Sequence, residues 1–201
     1  IFNLILILLS RIIINMKNIV LLASGGGSSV ENILRFFIDD KKVIISNIFC
    51  NNPKAGLLQR PFLKNYKLSI ISNSQLKNGI FLKELLKIDP DLIVLAGFLQ
   101  KIPKKIVEKF PDKIINIHPS LLPKYGGKGM YGLNVHREVI KNNEKKSGFT
   151  IHYVNDHYDK GSIIFQKSIP VETFNALELS KKILTQEHKY YPQIIKHVLN
   201  V

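Results

Sequence analysis

Four short runs dominated by β-branched and other apolar residues recur along the chain: Asn18 to Ala23, Val43 to Cys50, Asp91 to Ala96 and Lys113 to Ile117. Each is followed by Gly, Pro or Asn and then by a helical pattern. This alternation suits parallel strands joined by crossover helices and few other arrangements. The runs are apolar on both faces, as strands covered on both sides by helices should be. The first half is therefore expected to be a doubly wound, mostly parallel α/β sheet.

The pattern changes after Ser147. SGFTIHYV and SIIFQKSIP are two strand-like segments joined by Asn155 to Gly161, a stretch too short for a crossover helix, so an antiparallel pair is expected. Apolar positions Leu177, Ile183, Leu184, Ile194, Ile195 and Val198 then suit one long C-terminal helix over Ala176 to Leu199, kinked at Pro192. At 201 residues the chain is the size of one domain. Residues 1 to 15, IFNLILILLSRIIIN, are apolar but carry no basic n-region and no small-residue cleavage site, and they are short for a membrane span. Because Met16 directly precedes the first strand-like run, these fifteen residues are expected to be a non-native or upstream extension, with the working domain over 16–201.

The formal charge of +14, from 29 Lys and Arg against 15 Asp and Glu, raises the idea of a nucleic-acid partner. However, lysine, isoleucine and asparagine are abundant everywhere, as an AT-rich coding sequence produces. No basic stripe is interleaved with aromatics, so neither nucleic acid nor membrane is expected as a partner. A lone cysteine, Cys50, excludes an internal disulfide and points to a reduced, cytoplasmic setting. Six histidines without HExxH spacing, beside that single cysteine, give no expectation of a metal. No G-x-S-x-G elbow supports a Ser/His/Asp hydrolase.

Ser24-Gly25-Gly26-Gly27-Ser28-Ser29 lies between the first strand and a helix beginning near Val30. Free backbone N–H groups and the helix dipole there favour an anion, and glycine lets the backbone approach it closely. Val30 stands where a dinucleotide fingerprint has its last glycine, and no acidic residue ends the second strand, so a phosphomonoester is expected before NAD. GGKG at Gly126 to Gly129 lacks the upstream glycine and the Ser/Thr of a P-loop and is read as a mobile loop. In Asn116-Ile117-His118-Pro119-Ser120, alternation aims Asn116 and His118 in one direction as the strand ends. That is the end of an open parallel sheet where ligands gather. In the loop Asn155 to Gly161 either Asp156 or Asp159 could supply a carboxylate that raises the pKa of His118.

The segments IVLLASGGGSS, DLIVLAGFLQKIP, INIHPSLLPKYGG, GFTIHYVNDHYDKGSIIFQ and TQEHKYYP occur in the order found in phosphoribosylglycinamide formyltransferases, and from Met16 onward the sequence closely resembles that family. INIHPSLLP and the D-x-G of the later loop are shared by the wider folate-dependent formyltransferases. The glycine loop and the TQEH-x-x-YP ending point to the glycinamide ribonucleotide branch.

The resemblance implies a single Rossmann-like domain that transfers the formyl group of 10-formyltetrahydrofolate, a co-substrate, to the amine of glycinamide ribonucleotide in purine biosynthesis, without a metal. It makes Asn116 a carboxamide facing the formyl group, His118 the general acid and Asp159 the carboxylate that keeps His118 protonated. It assigns the phosphate to Gly27, Ser28 and Ser29, the amine to Glu187, and the folate to Asn116 and to Leu99, Gln100, Lys101 and Ile102. A cis bond before Pro123 is also expected. The partners are then small molecules, with a homodimer left open.

Overall fold

The computed structural model describes residues 16–201, so the expected upstream extension, residues 1–15, lies outside the described residues. Seven strands form one sheet in the order β3-β2-β1-β4-β5-β6-β7. The strands β1 (Lys17–Ala23), β2 (Val43–Cys50), β3 (Leu68–Ile70), β4 (Leu92–Leu95) and β5 (Ile114–His118) run parallel. The last two, β6 (Lys146–Tyr153) and β7 (Ile163–Pro170), are antiparallel, as the short Asn155 to Gly161 connection requires. Sequence reading passed over β3, a three-residue strand at the sheet's edge without a fully buried position.

Both faces of the sheet are covered. Ile19, Leu21 and Ala23 of β1 pack in one core with Val30, Ile33, Leu34 and Phe37 of α1 (Ser28–Phe37) and with Leu179, Ile183, Tyr191 and Ile195 of α6 (Ala176–Val198). Val20 and Leu22 face the opposite way, into a second core with Leu76 of α2 (Asn73–Lys77), Phe81 and Leu85 of α3 (Ile80–Ile88) and Ile106 of α4 (Lys104–Lys109). Each such fully buried side chain contributes about 1.5–3 kcal/mol, so consecutive apolar residues in one strand serve two layers. The spacing of the buried residues in α1 is the three-and-four repeat of a helix with one apolar stripe. A further helix, α5 (Leu133–Lys141), packs Val139 into the first core.

The chain steps from β1 outward to β2 and β3, then returns to lay β4 on the other side of β1. The connections after β1 and β4 therefore leave in opposite directions, opening a crevice at the carboxyl ends of these strands. Ser24 spans its base: its N–H donates to Gly97 O at 3.0 Å, while its hydroxyl accepts from Leu99 N at 2.9 Å and donates to Asn51 Oδ1 at 2.5 Å. One wall is α6, capped by Asn175, whose side chain accepts from Leu177 N and Glu178 N. This helix runs on through Pro192, and its buried Tyr191 donates a hydroxyl hydrogen to Leu95 O at 3.0 Å, tying it to the end of β4. Among the described residues no helix is long and apolar enough to cross a membrane.

Candidate active site

The crevice holds a cavity of about 410 Å³, a size suited to a small-molecule ligand. Asn116 and His118 enter it from the end of β5, as strand alternation requires. His118 is buried, and its Nε2 lies 2.7 Å from the carbonyl oxygen of Tyr125. A carbonyl only accepts, so Nε2 carries a proton and Nδ1 is the nitrogen left to face Asp159 Oδ2, 3.6 Å away. Burial is the largest influence on this ring and disfavours the imidazolium; Asp159 and the Tyr125 carbonyl favour it, and His152 opposes it. Burial prevails and His118 lies below its ordinary value. The carboxylate thus acts in the expected direction, and desolvation outweighs it.

Asp159 reaches this position from a left-handed backbone conformation, φ 54°. Its Oδ2 accepts from Gly127 N at 2.8 Å, and its Oδ1 lies 3.7 Å from His152 Nε2. Burial pushes its carboxyl up, but His152 and His118, each when protonated, and the Gly127 N–H more than offset this and hold it below the usual carboxylate range. Asp156, the other carboxylate open to sequence reasoning, instead pairs with His157 at 2.8 Å in an exposed position. The Leu122–Pro123 bond leading into the glycine-rich loop is cis.

Two histidines that sequence reasoning did not single out complete the surroundings. His152 stands opposite Asn116 in the β5–β6 ladder. Its Nδ1–H donates to Tyr153 O at 2.7 Å, so its Nε2 can accept from Asn116 Nδ2 at 3.2 Å and orient the carboxamide. His136 of α5 lines the cavity, buried, with its Nδ1 unpartnered; burial and then His118 push it down to about 4. The only signal that could have found His152 is the strand register, which does not follow from either strand alone.

The glycine loop borders the cavity at the amino end of α1. Gly27 adopts φ 77°, and a Cβ there would stand 3.0 Å from the Leu57 backbone, so glycine is needed for both reasons. No side chain caps this end of the helix, which leaves first-turn N–H groups for a ligand. Ser29 lines the cavity, with Gly27 and Ser28 immediately before it in the chain. The Arg60 guanidinium donates to Gly26 O and to Glu31 Oε2, the latter at 2.5 Å, bringing a cation to the loop.

Glu187 lines the cavity from α6. It is buried, one of its oxygens has no partner, and burial pushes its carboxyl up to about 7. Leu99 also lines the main cavity, whereas Gln100, Lys101 and Ile102 line an adjoining hollow of about 70 Å³. Asn116 and Asp159 border both spaces. Among the described residues no three His, Cys, Asp or Glu side chains are arranged as a metal site. Chemically, the arrangement sets an uncapped helix start, a buried carboxyl group, a carboxamide, an imidazole and an acid around one cavity.

A family model described as formyl transferase matches residues 17–195. The chain is similar to the phosphoribosylglycinamide formyltransferase of Bacillus subtilis, 32% identical over 77% of this chain and 80% of that protein. It is similar also to the chloroplastic phosphoribosylglycinamide formyltransferase of Arabidopsis thaliana, 45% identical over 55% of this chain; the match spans 38% of that longer protein's length. Among solved structures, phosphoribosylglycinamide formyltransferase from Anaplasma phagocytophilum superimposes with a TM-score of 0.81 at 34% identity, over 92% of this chain and 88% of that one.

Proposed function

Since the chain belongs to the formyl transferase family, we propose that it moves the formyl group of 10-formyltetrahydrofolate onto the amine of glycinamide ribonucleotide, a step of purine biosynthesis. The observation that carries this reading is that Asn116, His118 and Asp159 line one cavity, Asn116 and Asp159 also bordering the adjoining hollow, while Ser29 at the amino end of α1 lines the same cavity. The larger hollow suits the ribonucleotide, its phosphate at Gly27, Ser28 and Ser29 and its amine at Glu187. The smaller suits the folate, along Leu99 to Ile102 and the loop carrying Tyr158.

The substrate amine attacks the formyl carbon, a C–N bond forms, and the carbonyl oxygen becomes an oxyanion. The proton lost by the amine passes to the folate nitrogen as its bond to carbon breaks. Asn116 Nδ2, held by His152, donates to the oxyanion. Nδ1 of His118 is the second donor once protonated, and the negative charge arriving on the oxyanion adds to that of Asp159 in offsetting the cost of burial. Asp159 then holds the imidazolium and organises the transfer of the proton.

Donors of this kind are each worth about 3–4 kcal/mol, or 100- to 1000-fold in rate. The test incubates the protein with 10-formyltetrahydrofolate and either glycinamide ribonucleotide, tRNA or water alone, and follows the formyl group. Product on the ribonucleotide, lost in Asn116→Ala and His118→Ala proteins that still fold, is the expected result. Formyl transfer to tRNA or water instead, or near-normal rates in both variants, would overturn it.

A further inference from the structure

We propose that the segment Lys124–Gly127 is a strap that positions His118 and Asp159 together, and that Glu144, which lines neither hollow, is its outer anchor. The inference rests on the reading of these two side chains as working groups and adds the residues that hold them in place.

The strap touches both. The Tyr125 carbonyl accepts from His118 Nε2 at 2.7 Å, and two residues on, the Gly127 N–H donates to Asp159 Oδ2 at 2.8 Å. One short stretch of backbone thereby sets the tautomer of the imidazole and the position of the carboxylate 3.6 Å from it. Its inner edge is fastened by the buried Ser120, whose hydroxyl donates to Lys124 O at 2.6 Å. Tyr125 itself sits in the left-handed region, φ 56°, a conformation that costs a non-glycine residue about 1 kcal/mol or more and persists only where surroundings impose it.

Glu144, in the turn after α5, imposes it from outside. Its Oε1 accepts from Lys124 Nζ at 2.8 Å and from the Tyr125 hydroxyl at 3.0 Å, so two successive strap residues converge on one carboxylate oxygen. The Lys124 ammonium and the Tyr125 hydroxyl hold this carboxyl below its usual range. Without the anchor, Tyr125 has less to keep it in the left-handed region. Its carbonyl then swings away from His118, and the Gly127 N–H shifts from Asp159 with it. The groups facing His118, namely Asp159, His152 and His136, remain chemically unchanged, so any altered titration of the ring comes from geometry.

Tyr125→Phe and Glu144→Ala test this, alone and combined, with Glu144→Gln as the variant that keeps an acceptor. Misplacing reacting groups by about an ångström costs up to roughly 100-fold, so kcat is expected to fall about 10-fold or more in each single variant while both KM values stay within about twofold. The double variant should be no slower than the slower single one, because both changes release the same strap. Glu144→Gln should recover most of the rate. Nitrogen NMR of His118 supplies a readout that needs no turnover: a single Nε2–H tautomer in the unmodified protein, and in the variants a mixture of tautomers with a lower titration midpoint. Absence of formyl transfer in the unmodified protein would count against the function proposed above, and the NMR comparison would still decide on the strap. Rates near normal in both single variants, a loss confined to KM, or an unchanged His118 spectrum would each overturn it.

Discussion

Glu187→Gln should stabilise the protein, and only above a definite pH. The carboxyl is buried, one oxygen has no partner, and burial raises its pKa from the usual 4.5 to about 7. Below about pH 4.5 the group is protonated in both the folded and unfolded chains and has no bearing on the pH dependence of stability. Between 4.5 and 7 the unfolded chain releases this proton while the folded protein keeps it, so stability falls as pH rises; above 7 the full cost is present. The gap between those two values corresponds to roughly 3 kcal/mol, at about 1.4 kcal/mol per pH unit. Glutamine has nearly the same shape and cannot ionise, so it removes that cost. Urea unfolding of both proteins should give similar stabilities at pH 5 and a variant more stable by about 2–3 kcal/mol at pH 8, seen as a higher midpoint with an unchanged slope. On heating, the midpoint should rise by roughly 2–4 °C for each kcal/mol. The same variant should lose affinity for the amine substrate, as expected where a functional group is kept at the expense of stability. Equal stabilisation at both pH values, or none at pH 8, would refute the argument from burial.

Asp159→Asn removes the charge that opposes the desolvation of His118, so the histidine should titrate still lower and kcat should fall by about 100-fold or more; NMR titration and steady-state rates check the two halves separately. Gly126→Ala places a methyl group 2.5 Å from Leu122 Cδ2 and 3.2 Å from Asp159 Cβ, and should cost about 1–3 kcal/mol in thermal stability together with a drop in kcat. Tyr191→Phe deletes the bond to Leu95 O between α6 and the end of β4, with an expected loss of about 1–2 kcal/mol by denaturant titration and a weaker KM for the amine substrate, since Glu187 lies one turn earlier on the same helix.

The doubly wound sheet is legible in the chain because the forces behind it are local. Runs apolar on both faces can only be central strands, and the three-and-four spacing from Val30 to Phe37 can only pack as a helix on that sheet. Alternation along one strand also aimed Asn116 and His118 together, and the glycines before α1 marked the turn in which Gly27 is left-handed. Neither result depends on a distant part of the molecule. The edge strand β3 escaped notice because three half-exposed residues carry no such pattern.

Tertiary structure alone decided what surrounds those residues. Strand register set His152 opposite Asn116, and a left-handed turn brought to His118, across 41 residues of chain, the Asp159 that the resemblance implied and that residue chemistry alone left level with Asp156. The charge state of His118 was equally out of reach. A carboxylate beside a histidine argues for protonation, yet the answer is a balance between that charge and the water removed by every element packed around the ring. Periodicity is a property of neighbours in sequence, whereas register, burial and electrostatic balance are sums over groups that meet only when the chain has folded.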